Sequence, residues 1–305
     1  MQIQVHLLGG LGNQLFQYAA ARYYQEKYNA ESVIIETSNY KTFKLRELEL
    51  GHYKLDGMCA FSDDTGFLQK LFFFVYRVYQ KLYSMILGKF ARPWNFKMMK
   101  KSYLCTSVYT PKTLRISNEV FLYGYFVSNE IAWSMRKKLM GEIVLKETGS
   151  STYLDFLQII ETTNSIGISI RCDEDYVKNR WPIGTKKYYH EGIRLIKQKF
   201  HDIDIFVFAD RIDKVKNEQW FSEWNVYYIE NTTVTESFEL LRRCRHHIIS
   251  NSTFSWWGAF LKYRNGGICV CMNRFFNDRY KEDDKLTMIK DAIYLDYITG
   301  EIVKC

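Results

Sequence analysis

From Ser165 onward the chain alternates short apolar runs with amphipathic stretches, and that rhythm leaves few folds open. Ser165 to Ile170 reads as a strand. Lys186 to Phe200 follows, with Tyr189, Ile193, Ile196 and Phe200 at helical intervals. Asp204 to Ala209 is a second strand and Ile212 to Phe221 a helix. Asn225 to Ile229 is a third strand, followed by a helix over Thr235 to Arg245 with Phe238, Leu241 and Cys244 on one side. His247 to Ser250 and Gly267 to Met272 complete the series, with a tryptophan-rich helix between them. Strands separated by helices of this length pair in parallel, so the C-terminal half is expected to be a doubly wound sheet.

Such a sheet binds ligands at the carboxyl ends of its strands, where the winding reverses. In the order 3-2-1-4-5 the first and fourth strands are neighbours. Arg171 follows the first strand; Asn251, Ser252, Thr253 and Phe254 follow the fourth. The two loops are therefore predicted to meet, far apart as they are in sequence. Arg171 brings a planar, permanently charged fork suited to a pyrophosphate. The turn brings hydroxyls, free helix N–H groups and the positive end of a helix dipole. Asp210, ending the second strand, is placed to accept hydrogen bonds from a base or ribose. Each residue also has a plainer use. Ser252 or Thr253 can cap the helix, Arg171 can pair with Asp173 or Asp175, and Asp210 can cap the helix after it.

The N-terminal half opens with a strand from Ile3 to Leu8 and the turn Gly9-Gly10-Leu11-Gly12-Asn13-Gln14. A helix follows, burying Leu15, Phe16, Ala19, Ala20 and Tyr23, then a second strand from Ser32 to Ile35 that ends at Glu36. Phe61 to Lys101 reads as mostly helical, Val120 to Val127 as a strand, and Glu130 to Val144 as a helix. The small polar stretch Thr148-Gly149-Ser150-Ser151-Thr152 suggests a boundary within 148–160, giving domains 1–155 and 156–305. Gly10 and Gly12 match two glycines of a dinucleotide turn, but Leu15 fills the third position and would obstruct helix–strand approach. No lysine follows in the manner of a Walker loop. The glycines still indicate close backbone approach, to a ligand, the other domain or the neighbouring helix. Asn13 and Gln14 are expected at the carboxyl edge of this sheet, facing an interdomain cleft.

The chain has 305 residues, 47% hydrophobic and 25% charged, the balance of a globular protein large enough for two domains. Its net charge of +8 comes from 42 basic and 34 acidic residues spread along the sequence. That is first of all a solvated surface with a mild basic excess; it also suits phosphate-bearing substrates or an anionic membrane face, and without a nucleic-acid motif it does not point to nucleic acid. Seven cysteines, an odd number with no Cys-x-x-Cys pair, fit a reduced cytoplasmic protein. Cys269 and Cys271 are expected on one face of a strand. The N-terminus lacks the basic start and long apolar core of a signal peptide. Leu68 to Leu87 is rich in Phe, Tyr, Val and Leu but holds Lys70, Arg77 and Lys81. It is a helix packed on its own domain, or one lying on a membrane surface, rather than a membrane span.

At this point several motifs align with a known family. Gly9-Gly-Leu-Gly-Asn-Gln-Leu-Phe-Gln-Tyr-Ala-Ala20 resembles the N-terminal signature of the α-1,2-fucosyltransferases of glycosyltransferase family 11. Asn251-Ser-Thr-Phe-Ser-Trp-Trp-Gly-Ala-Phe260 is similar to their C-terminal signature, Leu122-Tyr-Gly-Tyr-Phe-Val-Ser128 to a middle motif, and Phe206-Val-Phe-Ala-Asp210 to a strand end. The family's His-x-Arg-Arg-Gly-Asp-Tyr stands here as Ser169-Ile-Arg171-Cys172-Asp173-Glu174-Asp175-Tyr176. Arg171 is kept, the His has become Ser169, and the second Arg has become Cys172.

The resemblance implies a GT-B-like α/β fold of two Rossmann-like domains facing a cleft. It implies GDP-fucose as donor, held by the C-terminal domain, and inverting transfer without a metal cofactor. The acceptor implied is a sugar hydroxyl, the 2-OH of a galactose on an oligosaccharide or lipid-linked glycan, bound mainly by the N-terminal domain. Arg171 and the Asn251 to Phe254 turn then stabilise the leaving diphosphate. Asp173, Glu174 or Asp175 takes the acceptor proton, and Asn13, with Gly10 and Gly12, orients acceptor or donor. A transferase using another GDP-sugar, a metal-dependent transferase using Asp173 and Asp175, and a nucleotide-sugar or glycan binder weakened in catalysis remain the rival readings.

Overall fold

The computed structural model describes residues 1–303 apart from 43–45, 65, 88–92, 99, 109–113, 115–116 and 263–264; at 68 and 175 it describes the backbone alone. The chain divides into two compact units, Met1–Lys146 with Lys285–Thr287, and Glu147–Asp284 with Met288–Cys305.

The first unit contains β1 (Gln2–His6), α1 (Leu11–Tyr28), β2 (Ser32–Glu36), the one-turn α2 (Asn39–Thr42), β3 (Cys59–Ser62), α3 (Phe67–Leu87), β4 (Trp94–Met98), β5 (Lys101–Cys105), β6 (Glu119–Tyr123) and α4 (Asn129–Glu142). Its sheet runs β3-β2-β1-β6-β5-β4, parallel throughout except for β4 against β5. Winding reverses between β1 and β6. Ile3, Val5, Val33 and Ile35 have no exposed surface, as the alternation of β1 and β2 requires. The buried Arg22 of α1 reaches Glu142 of α4 at 2.8 Å and Asp56 at 3.0 Å. These partners are what allow a charge to sit there.

Two expectations are corrected here. The span from Phe61 to Lys101 is helical over Phe67–Leu87 (α3) only, and its ends belong to β3 and β4. Aromatic density alone suits either state, and partners decide. Across the β4–β5 ladder Phe96 pairs with Tyr103, the rings stacking with centroids 5.2 Å apart. The strand read as Val120 to Val127 stops at Tyr123, because Gly124 (φ +122°) and Phe126 (φ +53°) leave extended geometry.

The second unit contains α5 (Ser151–Thr162), β7 (Asn164–Ile170), α6 (Glu174–Lys178), α7 (Lys186–Lys197), β8 (Ile203–Ala209), α8 (Ile212–Asn217), β9 (Val226–Tyr228), α9 (Val234–Arg243), β10 (His246–Ile249), α10 (Thr253–Phe260), β11 (Cys269–Met272) and β12 (Ile293–Leu295). All pairs are parallel, in the order β12-β11-β10-β7-β8-β9. Counted within the unit this is 3-2-1-4-5-6, with β12 as a sixth strand the sequence did not reveal. Ile205 and Val207 of β8 join Ile166, Ile168 and Ile170 of β7 and Tyr189, Ile193 and Ile196 of α7 in one apolar layer. Phe206 and Phe208 alternate to the other layer, with Tyr153, Ile160, Leu240 and Leu241. Cys269 and Cys271 share a buried face with their sulfurs 3.7 Å apart.

The polar stretch at 148–152 leads into α5. Ser150 caps α5, its Oγ accepting from Tyr153 N–H at 3.2 Å. The division falls before it, between Lys146 and Glu147.

His247 on β10 has no exposed surface, and its Nε2 donates to Leu241 O at 2.8 Å. Burial pushes its pKa down to about 3. The unfolded chain takes up this proton near pH 6.5, while the folded chain refuses it until about 3. Between those values the unfolded state binds more protons, so stability falls as pH falls. We expect the second unit to lose about 2 kcal/mol between pH 7.5 and pH 5 from this group. Urea unfolding followed by tryptophan fluorescence at several pH values checks this. His247→Gln, which can still donate to Leu241 O, should show the shallower slope; identical slopes would contradict the assignment.

Candidate functional site

The winding reversal of the second sheet brings the ends of β7 and β10 together. His246, His247 and Ile248 pair with Ile166, Gly167 and Ile168. One step on, the buried Ser169 and Ser250 hydroxyls lie 3.3 Å apart. The segments that leave these strands, Arg171–Asp173 and Asn251–Thr253, therefore start side by side, as the topology predicts.

Arg171 is held on several sides. Its Nη2 lies 3.2 Å from Asp173 Oδ2 and its Nε 3.3 Å from Asp210 Oδ2. Its guanidinium carbon sits 4.5 Å from the centroid of the Tyr176 ring. Asp173 is itself anchored, its Oδ1 accepting from Tyr176 N–H at 2.9 Å. Asp210 accepts from Cys172 N–H at 3.0 Å, which ties the end of β8 to the loop after β7. Burial pushes the Asp210 carboxyl above the ordinary carboxylate range, against the pull of the adjacent Arg171. The same burial, with Asp210 nearby, raises the Cys172 thiol to about 11, so it stays protonated and is no nucleophile at neutral pH. Asp210 does not cap α8, whose N-cap position is Arg211 with no side-chain hydrogen bond. The guanidinium is thus fixed before any ligand arrives. A fixed charge has the least reorganisation to undergo when negative charge develops beside it.

On the β10 side, Ser252 occupies the N-cap position of α10, but its side chain makes no capping hydrogen bond. The first-turn N–H groups of any helix lack an intrahelical acceptor. Asn251 is buried and its Nδ2 donates to Phe275 O at 3.1 Å. Its Oδ1 is buried without a hydrogen-bond partner among the described residues. The loop bearing Phe275 is held by Asp284, whose Oδ1 accepts from Phe275 N–H at 3.0 Å and Phe276 N–H at 2.7 Å. Thr253 begins the helix. Phe254 turns its ring onto Phe238, centroids 5.4 Å apart, as part of the apolar layer. Trp256 and Trp257 are buried and anchor the first turn. The side chain of Asp175 lies outside the described residues.

Gly10, Gly12 and Asn13 lie in the first unit, where β1 turns into α1. The glycine that geometry demands is Gly9. It has φ +76°, and a Cβ there would meet Asn13 Nδ2 at 2.6 Å. Its carbonyl accepts from Tyr40 OH at 2.6 Å and Gln14 Nε2 at 3.0 Å. Gly10 is the N-cap of α1, and Gly12 is buried in its first turn. Gln14 is not presented at the sheet edge: it is fully buried, donating to Glu47 O at 2.8 Å and accepting from Glu49 and Leu50 N–H. Gln17 pairs with both backbone groups of Leu8. Much of the glycine-rich signature is thus a self-bracing turn. Glu36 is fully buried, pairs with His6 and accepts from Ser38 N–H at 2.6 Å, so it offers nothing to a ribose.

Sequence reasoning passed over Tyr176 and the Phe275 loop. Tyr176 was legible as the closing tyrosine of the motif that contains Arg171. Phe275 makes its contact through a backbone carbonyl, which no side-chain pattern announces. Among the described residues no group of three or more His, Cys, Asp or Glu is placed to hold a metal ion.

Two parallel-sheet α/β units in one chain, the second wound in the nucleotide-binding order, define the GT-B-like class of transferase folds. The model of glycosyl transferase family 11 matches residues 2–296. The chain belongs to that family and is a glycosyltransferase. It is 28% identical over 282 residues to an α-1,2-colitosyltransferase of Escherichia coli, covering 90% of this chain and 92% of that protein. It is also 28% identical over 310 residues to the O-antigen biosynthesis glycosyltransferase WbnK of Escherichia coli, covering 92% and 97%. Among solved structures it resembles the fucosyltransferase NodZ from Bradyrhizobium, with TM-score 0.51, 12% identity, and 85% and 91% of the two chains covered. It resembles Arabidopsis thaliana FUT1 in complex with GDP at TM-score 0.52 and 11% identity, covering 92% of this chain and 71% of that one. At these identities the structural likeness speaks for the fold.

Proposed function

We propose that this protein transfers L-fucose from GDP-fucose to the 2-OH of a galactose, with inversion and without a metal. The carrying observation is the Arg171 guanidinium, braced by Asp173, Asp210 and Tyr176 beside the turn at Asn251 to Thr253. Displacement at the anomeric carbon sends negative charge onto the departing diphosphate, and a fixed cation beside free helix N–H groups is suited to receive it. In this reading the second unit holds the donor. Asp173 or Asp175 takes the acceptor proton, and the first unit, through Asn13, positions the acceptor. A galactose-terminated, lipid-linked glycan suits the O-antigen role in the name of one relative.

A second reading keeps the mechanism and changes the sugar. The α-1,2-colitosyltransferase among the relatives, together with Cys172 where the family motif has arginine, favours GDP-colitose as an alternative donor. One experiment separates the readings: purified protein with a panel of nucleotide sugars and galactose-terminated acceptors, with and without excess chelator, read by product mass and GDP release. We expect fucosylated product, unchanged by chelator. A colitose product alone would shift the donor, loss with chelator would remove the metal-free mechanism, and donor binding without GDP release would leave a binding protein.

A further inference from the structure

α3 is held on its unit by one aromatic face. Phe73 stacks on Tyr123 with centroids 4.1 Å apart, Tyr76 meets Trp94 edge-on at 5.1 Å, and Gln80 donates to Ser107 Oγ at 2.6 Å. The opposite face is apolar and bare. Leu71, Phe74, Val78, Leu82, Met85 and Ile86 are between 43% and 78% exposed. An apolar patch of this extent on a soluble surface marks an interaction site. Lys70, Arg77 and Lys81, spaced to lie along one side of the helix, border that face, and the element contains no Asp or Glu.

We infer that this face of α3 seats on an anionic lipid bilayer, lying in the headgroup boundary with its cations against lipid phosphates. The charge pattern selects that occupant. A second copy of the chain would bring the same three cations and no acid on this helix to meet them. A bilayer rich in acidic lipid supplies the complementary charge and an apolar layer just beneath it. No helix among the described residues is long and apolar enough to cross a membrane, so the contact is one of lying on the surface. The inference stands on α3 alone and holds whichever sugar is transferred.

The test sediments the full chain with vesicles of phosphatidylcholine alone and of an equal mixture with phosphatidylglycerol. Wild type should pellet with the mixed vesicles and be released as salt rises. Phe74→Glu with Leu82→Glu should lose at least about tenfold in apparent affinity while its circular dichroism and melting midpoint stay put, since both side chains already face solvent. Lys70→Gln with Lys81→Gln should lose roughly 30-fold on the mixed vesicles. The inference is overturned if wild type stays in the supernatant with both vesicles, or if the glutamate variant binds as wild type does. Equal binding to phosphatidylcholine alone would remove the anionic partner. A wild-type dimer that the glutamate pair splits, with no vesicle binding, would hand the face to a second copy.

Discussion

Replacing Arg171 with alanine is expected to lower kcat by about two to three orders of magnitude, the cost of removing one preorganised donor to developing negative charge. The reasoning starts from the bond that breaks. Before transfer the electron pair of the anomeric C–O bond is shared with the sugar; as the acceptor oxygen displaces it, that pair leaves on the diphosphate and adds a negative charge there, so a cation beside it favours the transition state over the bound substrate. The effect should therefore appear in kcat and kcat/KM together rather than in KM alone. Arg171→Lys should recover only part of it, because an ammonium cannot span Asp173 and Asp210 while its plane rests on Tyr176. Removing the guanidinium also removes the pull that opposes the upward shift of Asp210, so that carboxyl moves further above its ordinary range. The apolar layers of the unit do not include Arg171, so the variant should remain folded by circular dichroism. Steady-state kinetics with a soluble acceptor decide the matter, and near-normal turnover would end the assignment.

The second large effect is on stability. Gly124→Ala should destabilise the first unit by about 3 kcal/mol or more and lower its melting midpoint by roughly 10 °C. Gly124 has φ +122°, a region closed to side chains, and an added Cβ would stand 1.8 Å from Thr106 O. That oxygen cannot swing away, because Thr106 N–H donates to Tyr123 O at 2.9 Å where the ends of β5 and β6 run together. The backbone itself must part. Gly141 in α4 gives the control. Nothing lies within 4 Å of its added Cβ, so Gly141→Ala should be neutral or stabilise by up to about 1 kcal/mol. Differential scanning calorimetry of both variants checks the contrast, and equal midpoints would refute the close approach.

The alternation from Ser165 to Met272 was legible because each strand and helix there buries one side, and one-sided burial writes a local period into the sequence. The strand order then followed from connection rules, and with it the pairing of the loops at Arg171 and Asn251. The strands that flank α3 were not legible for matching reasons. β4 is a strand only because β5 lies beside it, and Phe96 would read the same on a helix without Tyr103 opposite. The boundary was placed at the polar stretch around Ser150, slightly late, because a helix cap and a flexible turn use the same small polar residues.

By itself the sequence determined two parallel α/β halves, the family, and the arginine and the turn that carry the proposed chemistry. All of these depend on periodicity or on residues adjacent in the chain. Only the tertiary structure decided that Gln14 and Glu36 are buried in bracing hydrogen bonds, that Tyr176 and two carboxylates fix Arg171, and that one face of α3 is left bare. Those outcomes depend on which groups from distant positions arrive at the same place. A polar side chain is structural or available according to whether its hydrogen bonds are already taken, and its own identity does not say which.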